Sequence, residues 1–459
     1  MTVRVRFDGD GSGVEELTWG QREIWRSIQQ RESSMIVGGV VPLPPRTTVS
    51  EIATTLRYMM SRHQSLRTRL VIGADGRPRQ RLAASGEVEL AVVDADGGDP
   101  ALVAERLRQS YQLTDFDHEH DWPIRMGVVR ANRVPTHLVV AYSHLAIDAH
   151  GIESLTIDTT TTMDRATGTA LSPVTAIQPM DLARQQRTPT TQRQGRASVR
   201  YWERLLRGLP LDHPTAEAAD PRTPRYWQLG YTSPAAHLAI LTIAARTGAH
   251  PGPVRLAAFA VALGRVTGER VVAIQTLVHN RFRPGFTGSV SALTQSGLCV
   301  LDVGDSTFDE VVGQTWQATT RAGKHAYYDP DELAAMIGRL TEERGTDLNI
   351  SCYFNDRRRQ VPRSLTAPNR AAVLAALPRT TMRWGHRFDS YDRAVMINLN
   401  DVSDTLDCMI CVDTHRIGPA GLVALAKGIE SVVVAAALDP AAPTGVPVPV
   451  SSPAGRARS

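Results

Sequence analysis

Aromatic side chains are scarce in this 459-residue chain, at 5% of residues, and there are only four cysteines. Charge of neither sign gathers into a block: 51 Lys and Arg stand against 47 Asp and Glu, and the net charge is +4. A diffuse excess of this kind argues against a nucleic-acid partner, which would need a clustered basic face. Cys408 and Cys411 form a Cys-x-x-Cys, but the run Leu406–Val412 reads as a strand. Residues three apart on a strand point to opposite faces, so these two are expected to be buried thiols and not a bridge or a metal pair. No second Cys or His pair stands at zinc spacing, so no metal is expected. The N-terminus alternates in strand fashion without an apolar signal core. No run of about 20 apolar residues is evident, which predicts a protein with no membrane partner, in the cytoplasm. Also missing is a Gly-x-Ser-x-Gly elbow, which removes the usual frame for an acyl-serine intermediate.

What remains is a composition of 42% apolar and 21% charged residues, ordinary for a globular protein. The length suits two compact units of roughly 200 residues. Apolar periodicity predicts helices over Trp19–Gln29, with Thr18 as its cap, and over Thr48–His63 and Ala101–Tyr111. Short Val-rich runs at Ile124–Val129 and Leu138–Tyr142 read as central strands, with Leu66–Ile72 and Val88–Val93 beside them. Ser172–Arg196 is rich in Pro, Thr, Gln and Arg and reads as a crossover, followed by a helix over Ser198–Arg207. Further helices are expected over Pro234–Arg246, Pro253–Thr267, Thr307–Ala322, Pro330–Glu342 and Pro419–Ala437. Strands are expected over Val271–Val278, Gly297–Val303, Asp347–Phe354, Val395–Leu399 and Leu406–Val412. Each half mixes strands and helices, so the fold class is α/β in two lobes. The chain beyond Asp439 turns to Ala, Pro, Gly, Val and Ser, and a disordered tail is expected.

The chemical signal lies in Tyr142–Gly151, Tyr-Ser-His-Leu-Ala-Ile-Asp-Ala-His-Gly. His144 stands where a buried strand stops, a place where side chains meet ligands. A neutral imidazole there can take a proton from an amine or hydroxyl near pH 7. Asp148, four residues on, would either orient that ring or fix the turn that presents it.

This stretch resembles the His-His-x-x-x-Asp-Gly signature of condensation domains in nonribosomal peptide synthesis, members of the chloramphenicol acetyltransferase-like superfamily. The resemblance continues in order along the chain. Leu17–Trp25 resembles the opening motif with its Gln and final Trp. Arg62–Leu70, Arg-His-Gln-Ser-Leu-Arg-Thr-Arg-Leu, resembles Arg-His-Glu-x-Leu-Arg-Thr-x-Phe. Tyr201-Trp202 through Gly208-Leu209-Pro210 and Asn280-Arg281 fall in family positions.

The resemblance implies two chloramphenicol acetyltransferase-like lobes, 1–175 and 176–440, in a V-shaped pseudo-dimer with a central tunnel, and a tail over 441–459. It implies an acyltransferase joining a thioester-activated acyl or peptidyl group to an amine or hydroxyl acceptor. No bound cofactor is expected. The donor would be phosphopantetheine-linked on a carrier protein acting in trans, or a CoA thioester. His144 matches the catalytic His, and Asp148 the loop-holding Asp. Arg281 is the expected ion-pair partner of Asp148, with Arg283 as a rival, and Arg62 and Arg67 are expected in buried ion pairs.

Three departures stand out. Ser143 replaces the first His. Ala149 replaces the motif Gly, with Gly151 arriving two residues late and His150 as an added imidazole. Thr294-Gln295-Ser296-Gly297 replaces Phe-Val-Asn-Thr, with Gln295 a candidate lining residue. Two other readings stay open: a non-catalytic docking module, and an acyltransferase acting on a ribosomal peptide or a soluble small molecule.

Overall fold

The computed structural model describes residues 1–31, 35–164, 166–210, 222–348, 350–358 and 367–446. It divides into two compact units. The first comprises Met1–Arg196 and takes back the segments His279–Gln295 and Tyr327–Pro330; the second holds the rest. The boundary expected near residue 175 therefore falls inside the first unit.

The first unit is built on a five-stranded sheet in the order Thr2–Asp8, Ser85–Asp94, Ile124–Ala131, Val134–Ser143, Ile36–Pro42. Only the Ser85–Asp94 and Ile124–Ala131 strands run parallel. Alternation along the central pair explains their unbroken Val character. Val128, Val140 and Tyr142 pack with Ile52, Leu56 and Met60 of the helix Val49–Arg62 and Leu155 of the helix Ala149–Thr161. Val129 and Val139 pack on the other face with Ala104 and Leu107 of the helix Pro100–Leu113. Both faces are covered, so no polar face is needed.

Local signals act as the residue types predict. Thr48 and Glu51 form a reciprocal capping box. Thr18 Oγ1 accepts from Gln21 N at 3.3 Å, while Gln21 Oε1 accepts from Thr18 N at 2.8 Å. A small sheet of Gly13–Glu16, Pro78–Leu82 and Thr68–Ile72 stands beside the main one. The expected strand from Leu66 starts later, because Gln64–Arg67 turns as a 3-10 helix. The stretch expected as a crossover holds the helix Pro179–Gln186 and the start of the helix Pro189–Arg207, each entered by a proline. Proline suits the first helical turn, which hides helix starts in a Pro-rich stretch.

The second unit carries a seven-stranded sheet in the order Gln295–Asp302, Val271–Val278, Cys352–Asp356, Val395–Leu399, Leu406–Asp413, Tyr226–Ser233, Thr381–Phe388. Cys408 and Cys411 lie on one of its strands, both buried. The helices Pro234–Thr247, Pro251–Thr267, Phe308–Lys324 and Pro419–Leu438 supply its core.

Two sequence expectations are corrected in this unit. Pro419–Leu438 is a helix of 20 residues, long and apolar enough to cross a membrane by length and composition. It packs Leu422, Leu425, Ile429, Val432 and Val433 into the core, which accounts for its apolar character. The expected disordered tail is described as far as residue 446, and there Ala442, Thr444 and Val446 are buried. Pro443 bridges Thr307, and Thr444 O accepts from Arg265 Nε at 2.6 Å. The rest of that tail, 447–459, lies outside the described residues.

Candidate functional site

The strand Val134–Ser143 ends by pairing Ser143 with Ile36 at the sheet edge. His144 follows at once, half-buried, its N–H donating to Met35 O at 2.9 Å. Ser143 is fully buried; its Oγ accepts from Leu145 N at 3.3 Å, and its carbonyl accepts from Ala146 N at 3.0 Å. The residue standing in place of a histidine therefore shapes the turn that carries His144 out of the sheet. Leu145, Ala146 and Ile147 are buried and anchor that turn from below.

Asp148 closes the turn and caps the helix Ala149–Thr161: its Oδ1 accepts from Gly151 N at 2.7 Å. Its Oδ2 accepts from Leu293 N at 2.9 Å, Thr294 N at 3.0 Å and Thr294 Oγ1 at 2.9 Å. Arg281 Nη1 reaches both carboxylate oxygens, at 2.9 Å to Oδ1 and 3.0 Å to Oδ2. The guanidinium also donates to the carbonyls of Ser289, Ser291 and His279. Both side chains are more than nine-tenths buried. Burial alone would raise the Asp148 pKa. The Arg281 charge and the backbone N–H donors outweigh it, holding the carboxyl below the ordinary range. Asp148 thus works as an ionised staple between the His144 turn and the segment His279–Gln295, all within the first unit.

Arg281, not Arg283, is the partner. Arg283 Nε donates to Asn280 Oδ1 at 2.9 Å, and its guanidinium lies over the Tyr327 ring. Asn280 adopts φ +59° and is fully buried, its amide donating to Leu293 O at 3.0 Å. That left-handed residue turns the chain so that the next side chain enters the core.

The displaced glycine has a steric reason. A Cβ on Gly151 would lie 2.7 Å from Ile147 Cγ1 and 3.0 Å from both Arg281 Nη2 and Ser291 O. Ala149 is the first helical residue and is absent from the positive-φ positions, so it carries no backbone strain. The helix therefore begins at residue 149. His150 stacks on His279, with centroids 4.5 Å apart and planes 25° apart. His279 Nδ1 accepts from Arg281 N at 3.0 Å. Burial pushes the His279 pKa down, and His150 and Arg281 add to that shift, which favours the neutral ring.

Gln295 is held by hydrogen bonds inside the first unit. It is 1% exposed, and its amide donates to Tyr328 O at 3.0 Å and Glu23 Oε2 at 3.3 Å. The side chain is committed to joining two segments of the first unit. Its neighbour Thr294 was not singled out from the sequence, yet it supplies two of the Asp148 bonds. No local pattern marks Thr294; only its place beside the altered motif draws attention to it.

Arg62 makes the expected ion pair, donating twice to Asp158 at 2.8 and 3.0 Å, with Tyr58 Oη and His63 Nε2 on the same carboxylate. Arg67 is also buried, but it serves the backbone carbonyls of Asp10, Gly11 and Ala83. Trp19 is a core residue packed on Tyr327. Among the described residues no group of three His, Cys, Asp or Glu is placed to hold a metal.

The condensation domain model matches residues 13–367. Phosphinothricin tripeptide synthetase PhsC of Streptomyces viridochromogenes is 30% identical over 296 residues, 60% of this chain and 26% of that protein. The present chain therefore corresponds to about a quarter of that relative's length. Among solved structures, the condensation domain that mediates chain release from the enacyloxin polyketide synthase superposes with a TM-score of 0.71 at 18% identity. That match covers 97% of this chain and 86% of the other. The X-domain of teicoplanin biosynthesis, solved in complex with OxyB, gives 0.69 at 17% identity, covering 96% and 97%. These structural matches establish the mixed α/β fold. The chain belongs to the condensation domain family.

Proposed function

We propose that this chain catalyses acyl transfer from a thioester to an amine or hydroxyl, with His144 as the group that handles the proton. The observation that carries the reading is the Asp148–Arg281 staple, which fixes the turn presenting His144. A buried ion pair is expensive to assemble, and its use here fits a loop that must hold one imidazole in one place. In the proposed step the acceptor nitrogen or oxygen attacks the thioester carbonyl while His144 takes its proton. The tetrahedral intermediate then collapses, the C–S bond breaks, and the proton passes to the departing thiolate. Such proton handling contributes about 10²–10⁴ in rate. Orientation of donor and acceptor supplies the larger share.

A carrier-bound or CoA-bound phosphopantetheine thioester is the proposed donor class, as a substrate and not a resident cofactor. A carrier protein supplied in trans is the proposed partner, and the cytoplasm the proposed compartment. The test offers acyl thioesters on a carrier and on CoA, with amine and alcohol acceptors, and measures released thiol together with product mass. Acceptor-dependent product that vanishes in His144→Ala supports the reading. Equal turnover by the variant contradicts it, and no product from either protein favours a docking role.

A further inference from the structure

Behind the His144 turn, within the first unit, lies a cavity of about 20 Å³ walled on one side by Ser143, Leu145 and Ala146. That is room for one or two water-sized atoms. Three of the residues that line it each carry a buried polar atom with no hydrogen-bond partner among the described residues: Ser65 Oγ, Arg69 Nε and His118 Nε2. They come from separate places: Ser65 from the 3-10 turn, Arg69 from the strand Thr68–Ile72, and His118 from the turn before Ile124. Ser65 is 1% exposed. Buried polar atoms are rarely left unmatched, so three meeting at one cavity mark a place built for a small polar guest.

The chemistry of the guest follows from the donors. A guanidinium Nε can only donate, a hydroxyl can donate, and a neutral imidazole donates from one nitrogen. Arg81 sets a second positive charge near Arg69. The one carboxylate on the lining, Asp121, is engaged by Arg125 Nη2 at 3.1 Å and by Asp117 N at 3.2 Å. The Arg69 guanidinium is held over the Trp122 ring at 3.5 Å, which fixes its direction. We infer that the cavity binds one small inorganic anion of halide size, held by Ser65, Arg69 and His118, and that this anion steadies the turn carrying His144.

Crystals of the full chain grown in sodium bromide, with data collected at the bromine edge, test the site directly. The expected result is an anomalous peak within hydrogen-bond reach of those three atoms. Thermal unfolding gives the second readout, comparing sodium chloride or bromide with sodium gluconate at constant ionic strength. An ion present at about five times its Kd raises the midpoint of a unit this size by about 2–4 °C. That rise is expected in the wild type and lost in Ser65→Ala and Arg69→Met. Should Arg69→Met fail to fold, Ser65→Ala and the anomalous map still decide. Density for water alone, bromide peaks confined to the surface as an adventitious ion only, or a midpoint shift shared by Ser65→Ala would each overturn the inference.

Discussion

Replacing Asp148 by Asn keeps the size of the side chain and removes its charge. The wild-type carboxylate accepts four hydrogen bonds, from Gly151 N, Leu293 N, Thr294 N and Thr294 Oγ1, besides those from Arg281. An amide has one oxygen to offer. If it keeps the Oδ2 partners, its NH₂ faces Gly151 N and Arg281 Nη1, donor against donor. If it keeps the Oδ1 partners, three donors around Leu293 and Thr294 lose their acceptor. In either orientation the Arg281 guanidinium stays buried with neutral oxygen partners only. Removing one member of a buried pair costs about 3–5 kcal/mol, and Asp148→Asn is expected to fall there. Arg281→Met should cost a similar amount, because it leaves the carboxylate in a site whose burial disfavours charge. The double variant Asp148→Leu with Arg281→Met should recover part of the loss, since no unpaired charge remains. The assay is equilibrium urea unfolding, followed by a probe in the first unit such as Trp19 fluorescence. The Asn variant's midpoint should drop at an unchanged slope. A change below about 0.5 kcal/mol, the range typical of surface substitutions, would refute the staple.

Gly151→Ala should destabilise by about 1–3 kcal/mol through overpacking against Ile147 and Arg281, whereas Ala149→Gly should lose only about 0.5–1 kcal/mol from helix propensity; both are read from urea midpoints. The Asp158 carboxyl is also held below the ordinary range: burial opposes this, but His63 and Arg62 prevail. A depressed folded pKa adds stability that is complete above the unfolded carboxylate value of about 4 and fades as pH falls through the folded one. Asp158→Asn should therefore lose stability at pH 7 and show a flatter acid limb, measured as unfolding midpoint against pH from 7 down to 2. Gln295→Ala should leave donor KM within about twofold of wild type while lowering stability by about 1–3 kcal/mol, because its amide is buried on Tyr328 and Glu23. A raised KM at unchanged stability would support a lining role.

The long periodic elements were legible because residue spacing and burial agree in them. Val49–Arg62 shows this, where Ile52, Leu56, Met59 and Met60 face inward beneath a Thr48 cap. Tyr226–Ser233 and Thr381–Phe388 were missed. The first mixes Gly, Gln and aromatics, and the second is exposed over most of its length at the sheet edge. Neither shows clean alternation. At the site, His144, Asp148 and Arg281 could be read from the motif order. Local spacing could not show that Ala149 opens the helix without strain, or that Gly151 makes room for a guanidinium arriving from residue 281. Those are properties of contacts more than 100 residues apart in the chain. Thr294 stayed hidden for the same reason, since its value lies in the carboxylate it meets.

The central claim is that one imidazole, held by the Asp148–Arg281 staple, moves the proton during acyl transfer. Single-turnover transfer by His144→Ala, beside its urea midpoint, addresses this most directly. The account predicts a loss of about 10²–10⁴ in rate with a midpoint close to wild type, since the half-buried ring stands outside the staple. A rate within about threefold of wild type, well short of the usual contribution of a general base, would contradict it.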